Sequence, residues 1–186
     1  MLLLAFAVAL FAAIHLVAAA PSLKAGLAER FGAAWRPLYV GASIAALALI
    51  VVAWRNADVW PVYEPPEWGH YATFTLVLLA FLCLGIFLFR GRLRQVLVLP
   101  LSIGVVLWGT GHLFSNGDLA GIILFGGFIF YGLAHLAIGL AAGYRPTPVV
   151  RQGHDALSIF AGVALYGMMA QAHGALIGIP VVTLTH

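Results

Sequence analysis

The charged residues of this chain are confined to a few connections, and six apolar stretches lie between them. The stretches fall at about 2–20, 36–54, 70–89, 96–114, 119–143 and 156–180. A helix needs ~20 consecutive, largely apolar residues to cross the hydrocarbon of a bilayer, and each stretch meets that length. Every Lys, Arg, Asp and Glu falls in a connection or at a span end, as Arg36 does at the start of the second span. The cost of placing charge in hydrocarbon enforces such a partition. A soluble domain is excluded by the same arithmetic. Of 186 residues, 63% are hydrophobic and 8% charged, against ~25% charged in soluble domains, so a water-facing surface would carry large apolar patches. The expected fold is all-α: one integral membrane bundle of six transmembrane helices over 1–186, in contact with the lipid bilayer.

The connections set the orientation. Lys and Arg number three, three and two in the first, third and fifth loops, and one and none in the second and fourth. The positive-inside rule places the odd loops in the cytoplasm, so both termini are expected on the outer, periplasmic side. The net charge of +3 reflects this topology signal. Nine basic residues spread over several loops form no dense patch, which argues against nucleic acid as a partner. The opening "MLLLAFAVALFAAIHLVAAAP" lacks a positive n-region and exceeds the usual apolar length of a signal peptide, so it is read as a span. Trp54, Trp60, Tyr63, Trp68 and Tyr71 are expected at headgroup depth, with His70 at the same boundary. Cys83 is expected to be structural and inert in its apolar run.

Four histidines fall inside spans: His15, His112, His135 and His173. His70, His154 and His186 do not. A single membrane histidine is most simply a neutral side chain bonded to a hydroxyl or carbonyl of a neighbouring helix. Four of them among almost no charged partners point to function, since ionisable groups in spans mark functional sites. A proton relay usually recruits Asp or Glu, and the spans contain neither. No HExxH string is present, and a three-histidine zinc site is usually completed by a carboxylate or cysteine. An apolar helix bundle contributing neutral imidazoles, with aromatics and glycines beside them, suits haem. Trp108 and His112, Tyr131 and His135, and Tyr166, Ala170 and His173 each share a helix face. Depth along the helices, at ~1.5 Å per residue, pairs His15 with His135 and His112 with His173. His135 is the reserve ligand and His173 is read as a packing residue; Met168 and Met169 come into question only if none of the four histidines holds the iron. Gly132, Gly139 and Gly143 line one face of span five, suited to close packing or to a flat cofactor. In "SNGD", Asn, Gly and Asp suit a tight turn that tolerates left-handed conformations, and Asp118 is placed to cap span five.

The strings "FAAIHLVAAAPSLKAGLAERFGAAWRPLYVGASIAAL", "LWGTGHLFSNGDLAGIILFGGF" and "QAHGALIGIPV" resemble the NnrU family of bacterial six-span membrane proteins. That family is related to the 15-cis-ζ-carotene isomerase, a membrane haem enzyme, and "GLAHLAIGLAAGYR" is similar to its corresponding segment. The resemblance implies a multi-pass protein of the bacterial inner (cytoplasmic) membrane that binds haem b. Its implied iron ligands are His15 and His112, with His135 as a further cofactor-binding residue. The implied role is in denitrification and nitric oxide metabolism, or cis–trans isomerisation of an apolar polyene substrate. One departure stands out: where the family has Arg-His-Pro at the start of span four, this chain reads Val98, Leu99, Pro100. Loss of those two polar residues bears on isomerase activity. It favours an alternative, a non-catalytic assembly or interaction subunit of a respiratory or denitrification membrane complex, docking through glycine-rich faces. A transporter is a weaker third reading, because intramembrane carboxylates and paired broken helices are missing.

Overall fold

In the computed structural model, which describes residues 1–146, 148 and 150–181, the chain is all-helical; His186 lies outside the described residues. The long helices are α1 (Leu2–Ala19), α3 (Trp35–Arg55), α4 (Gly69–Leu88) and α9 (His154–Ile177). Span five is built from α7 (Leu119–Gly121), a π-helical turn (Ile122–Gly126) and α8 (Gly127–Ala141). Two short helices lie in connections, α2 (Pro21–Phe31) and α5 (Leu93–Val96), and α6 (Pro100–Leu113) follows. Among the described residues the only extended pairing is an isolated bridge between Pro61 and Asp118.

Five stretches are long and apolar enough to cross a membrane: Leu2–Ala19, Pro21–Arg55, Gly69–Leu88, Leu119–Ala141 and His154–Ile177. The fourth apolar segment, expected as a full span over 96–114, is helical only over the 14 residues of α6. Its helix covers ~21 Å, short of the ~30 Å hydrocarbon thickness. Pro100 is the cause. A residue before proline is driven out of the helical region, and Leu99 sits at φ −129°, ψ 62°, which separates α5 from α6. The connection at 21–35 is not a loop. It forms α2, with Pro21 at the first helical position, and Gly32 ends it at φ +53°.

Packing follows the small residues. Helix α1 lies against α3 and α8, α8 against α6, α6 against α4, and α4 against α9. The helices therefore form an arc, α3–α1–α8–α6–α4–α9, whose two end helices form no packed interface with each other. Hydrophobicity gives no preference for a helix over lipid tails, so close backbone approach must hold such a bundle. At Gly85, a Cβ would run into the Ser158 carbonyl of α9, and at Gly162 it would lie 2.8 Å from the Phe81 carbonyl of α4. Gly132 approaches Ser102 and Val106 in the same way, and Gly139 lies against Leu99. The outward surface is apolar, with Leu2 89% and Phe160 73% exposed, as lipid contact requires.

The loops pair at opposite ends. At one end the second and fourth loops join: Val62 N donates to Gly117 O at 2.8 Å and Leu119 N to Trp60 O at 2.8 Å. The Tyr63 hydroxyl lies against the carbonyls of Leu113 and Asn116. Burial, and then the nearby Asp118 carboxylate, push the Tyr63 phenol above its ordinary value, so it stays a donor. At the other end the third and fifth loops join: Arg151 N donates to Arg90 O at 2.9 Å, and Leu93 N to the Asp155 carboxylate at 3.0 Å. Asp118 caps span five as expected, accepting from Gly121 N at 2.9 Å. The "SNGD" segment turns without a left-handed residue, since the positive-φ glycines lie elsewhere. Gly117 is needed instead because a Cβ there would strike the Tyr63 carbonyl.

Candidate functional site

The π-helical turn adds a residue to one turn of span five and rotates the helix beyond it, a distortion that recurs at functional sites. Here it carries Phe125, which is buried and stacks on the His112 ring at 4.6 Å and 22°. Trp108, one turn before His112 on α6, lies 4.9 Å from the same ring. The His112 Nδ1 donates to the Trp108 carbonyl at 2.9 Å. A carbonyl only accepts, so the proton is on Nδ1 and the lone pair on Nε2. Asn116 clamps the His112 carbonyl at 2.7 Å. The imidazole is thus fixed in both tautomer and direction by its own helix and by Phe125.

His112 borders a cavity of ≈ 590 Å³, within the size range of cofactor and ligand sites. The cavity fills the open side of the arc. Its walls come from the ends of α3 and α9, and its back from α4, α6 and the π-helical turn. Tyr166, Ala170 and His173, the face read on span six, all line it, as does Met169; Met168 is 67% exposed. His173 repeats the arrangement of His112: its Nδ1 donates to the Ile179 carbonyl at 2.6 Å, leaving Nε2 with the lone pair. His112 and His173 thus line one cavity.

The other two span histidines meet elsewhere. His15 and His135 each lie 5.8 Å from the ring of Tyr131. His15 donates from Nδ1 to the Phe11 carbonyl at 2.8 Å, and His135 shares a 2.8 Å hydrogen bond with Ser102. The structure therefore groups the histidines by depth. It does not bring His15 and His112 together. Phe11, Phe128 and Trp108 run in a row from one to the other, with centroids 4.0, 5.2, 5.4 and 4.9 Å apart along the path. Among the described residues no group of three or more His, Cys, Asp or Glu converges as a metal site. A haem iron needs only one or two axial protein ligands, so a facing pair is the relevant arrangement.

Over almost its whole length the chain matches one family, described as NnrU protein, across residues 3–181. The chain belongs to the NnrU family. No curated protein and no solved structure matches it. Val98 and Leu99, where the resemblance implies Arg and His, are remote from the cavity. Leu99 lies at the start of α6, packed on Gly139, at the opposite end of that helix from His112. The position does not line the cavity, so its change takes no polar contact from the cavity walls. Sequence reasoning missed Phe125 as a site residue. The string "LFGGF" carried no sign of a π-helical turn, although paired glycines, Gly126 and Gly127, come directly after Phe125.

Proposed function

We propose that this NnrU-family chain is a b-type haem protein of the bacterial inner membrane, in which His112 and His173 would hold the iron. The carrying observation is their placement on one apolar cavity, each with Nδ1 tied to a backbone carbonyl and Nε2 left for iron. Hydrogen bonds of that kind, made by the ring nitrogen away from the metal, set the orientation and basicity of metal-bound histidines. The residues present fit the group: the walls are apolar, Phe125 and Trp108 supply flat surfaces, and Met169 is a neighbouring soft ligand. Haem supplies an iron centre for electron transfer or for redox-gated activation of a double bond. The chain's own part is to hold the ligands in their neutral tautomer and keep water out.

The activity is read from the resemblance as isomerisation of a polyene or a service to the nitric oxide and nitrite reductase machinery. The lack of a packed α3–α9 interface favours the first, because an opening between those helices would give a membrane-dissolved substrate a lateral path. The assembly reading loses part of its proposed surface. Gly85, Gly132, Gly139 and Gly162 are spent on contacts within the chain. The spectrum of the purified protein tests the haem reading. Protein from haem-replete cells in mild detergent is expected to show one Soret band per chain that shifts on reduction. A colourless preparation that takes up no added haem sinks it.

The same proposal holds that all six apolar segments traverse the membrane, with both termini outside. The support is that α6 leads from the end where loops three and five meet to the end where loops two and four meet. The flanking residues 96–99 and 114–118 complete the crossing. Cysteines placed at Ser22 and Glu64 in a Cys83→Ala background read the sidedness. An impermeant outside reagent is expected to label Glu64→Cys and to spare Ser22→Cys. The reverse pattern overturns the orientation.

A further inference from the structure

We infer that Arg55 and His70 form a carboxylate-binding end of the His112–His173 cavity and receive the propionates of the haem; this rests on the haem reading above. The four residues gather at one end of the bundle. Arg55 is the last residue of α3, His70 the second of α4, His112 the last but one of α6, and His173 lies one turn before the end of α9. All four line the same cavity, and Arg55 is the only charged side chain in its described lining. That end also carries the neutral polar side chains of Thr73, Ser115 and Asn116 beside the apolar Ile177 and Ile179, while Val77 and Phe81 make the deeper wall wholly apolar. The cavity is therefore graded: an apolar depth, an imidazole pair, and a cationic rim at headgroup level.

A molecule matched to that gradient is flat and apolar, with metal at its centre and acid groups along one edge. Carboxylates left in hydrocarbon without partners are strongly disfavoured. A guanidinium at the rim meets them with two parallel hydrogen bonds. His70 lines the same cavity, its ring 3.8 Å from that of Tyr71, and adds a ring N–H donor. Asp58 and Asp118 share an adjoining hollow with Arg55. The cation for the acid groups stands on α3, at the opposite end of the bundle from Pro100.

The test compares haem b with its dimethyl ester, which blocks both acid groups. Full-length protein freed of haem is titrated in detergent and followed by the Soret band. The wild type is expected to bind the ester about tenfold more weakly, the size of a charge-assisted hydrogen bond. Arg55→Leu is expected to bind free haem about tenfold more weakly and to lose most discrimination against the ester. Arg55→Lys should recover part of it, and His70→Leu should cost about threefold. Arg55 is exposed at a helix end, so an unchanged melting curve is expected for its variants. If the wild type binds both forms equally, or Arg55→Leu discriminates as the wild type does, the carboxylate assignment falls while the haem reading stands. If the wild type binds neither form, both fall.

Discussion

Alanine in place of His112, or of His173, is expected to empty the protein of haem while leaving the fold intact. Both side chains are half-buried at the edge of a cavity, so neither truncation opens a void in a packed core. Loss of a hydrogen-bonded neighbour of a metal ligand already costs about 10–100-fold in metal affinity, and loss of the ligand itself should cost no less. The comparison that matters is with the other pair. His15→Ala and His135→Ala are expected to keep the Soret band, because those rings surround Tyr131 and a row of aromatic side chains separates them from His112. Haem content per folded chain, measured for all four variants, decides between the assignments. If His15→Ala and His112→Ala lose haem while His173→Ala retains it, the ligand pair implied by the family resemblance is the right one.

Valine at Gly85 is expected to lower the melting temperature by roughly 5–10 °C, from an overpacking cost at or above the upper end of ~1–3 kcal/mol. The colliding atom is the Ser158 backbone carbonyl, which cannot rotate away as a side chain could, so α4 and α9 must separate. Because α9 carries His173, haem affinity should fall with the same substitution. Gly162→Val, on the other side of the contact, should behave alike. Gly167→Val on α9 supplies the control, since no atom lies within 4 Å of the place a Cβ would occupy there. Equal melting temperatures for Gly85→Val and Gly167→Val would show that this contact does not hold the two helices.

The sequence by itself determined the class of fold, because one physical term dominates it. Charge is excluded from hydrocarbon and apolar surface from water, so the position of each Arg and Asp marks a boundary whatever the tertiary packing. The apolar stretches and the Asp118 cap follow from local rules of this kind. So did the shared faces of Trp108 with His112 and of Tyr166 with His173, since helical periodicity alone sets them. Family membership was also legible, in the strings around His15, His112 and His173. Three features were decided only in three dimensions. The length of α6 depended on how Leu99 and Pro100 break the chain, where apolar composition on both sides hid the break. The rotation that stacks Phe125 on His112 came from a π-helical turn, whose extra residue has no compositional mark. What surrounds each depth-matched pair of histidines was settled by which helices touch. An arc with α3 and α9 unpaired places a cavity beside His112 and His173, and the same arc buries Tyr131 between His15 and His135. Hydropathy is nearly uniform around these helices, so it could not say which faces meet. Close backbone approach at Gly85, Gly132 and Gly162 makes that choice, and it exists only when two helices are brought together.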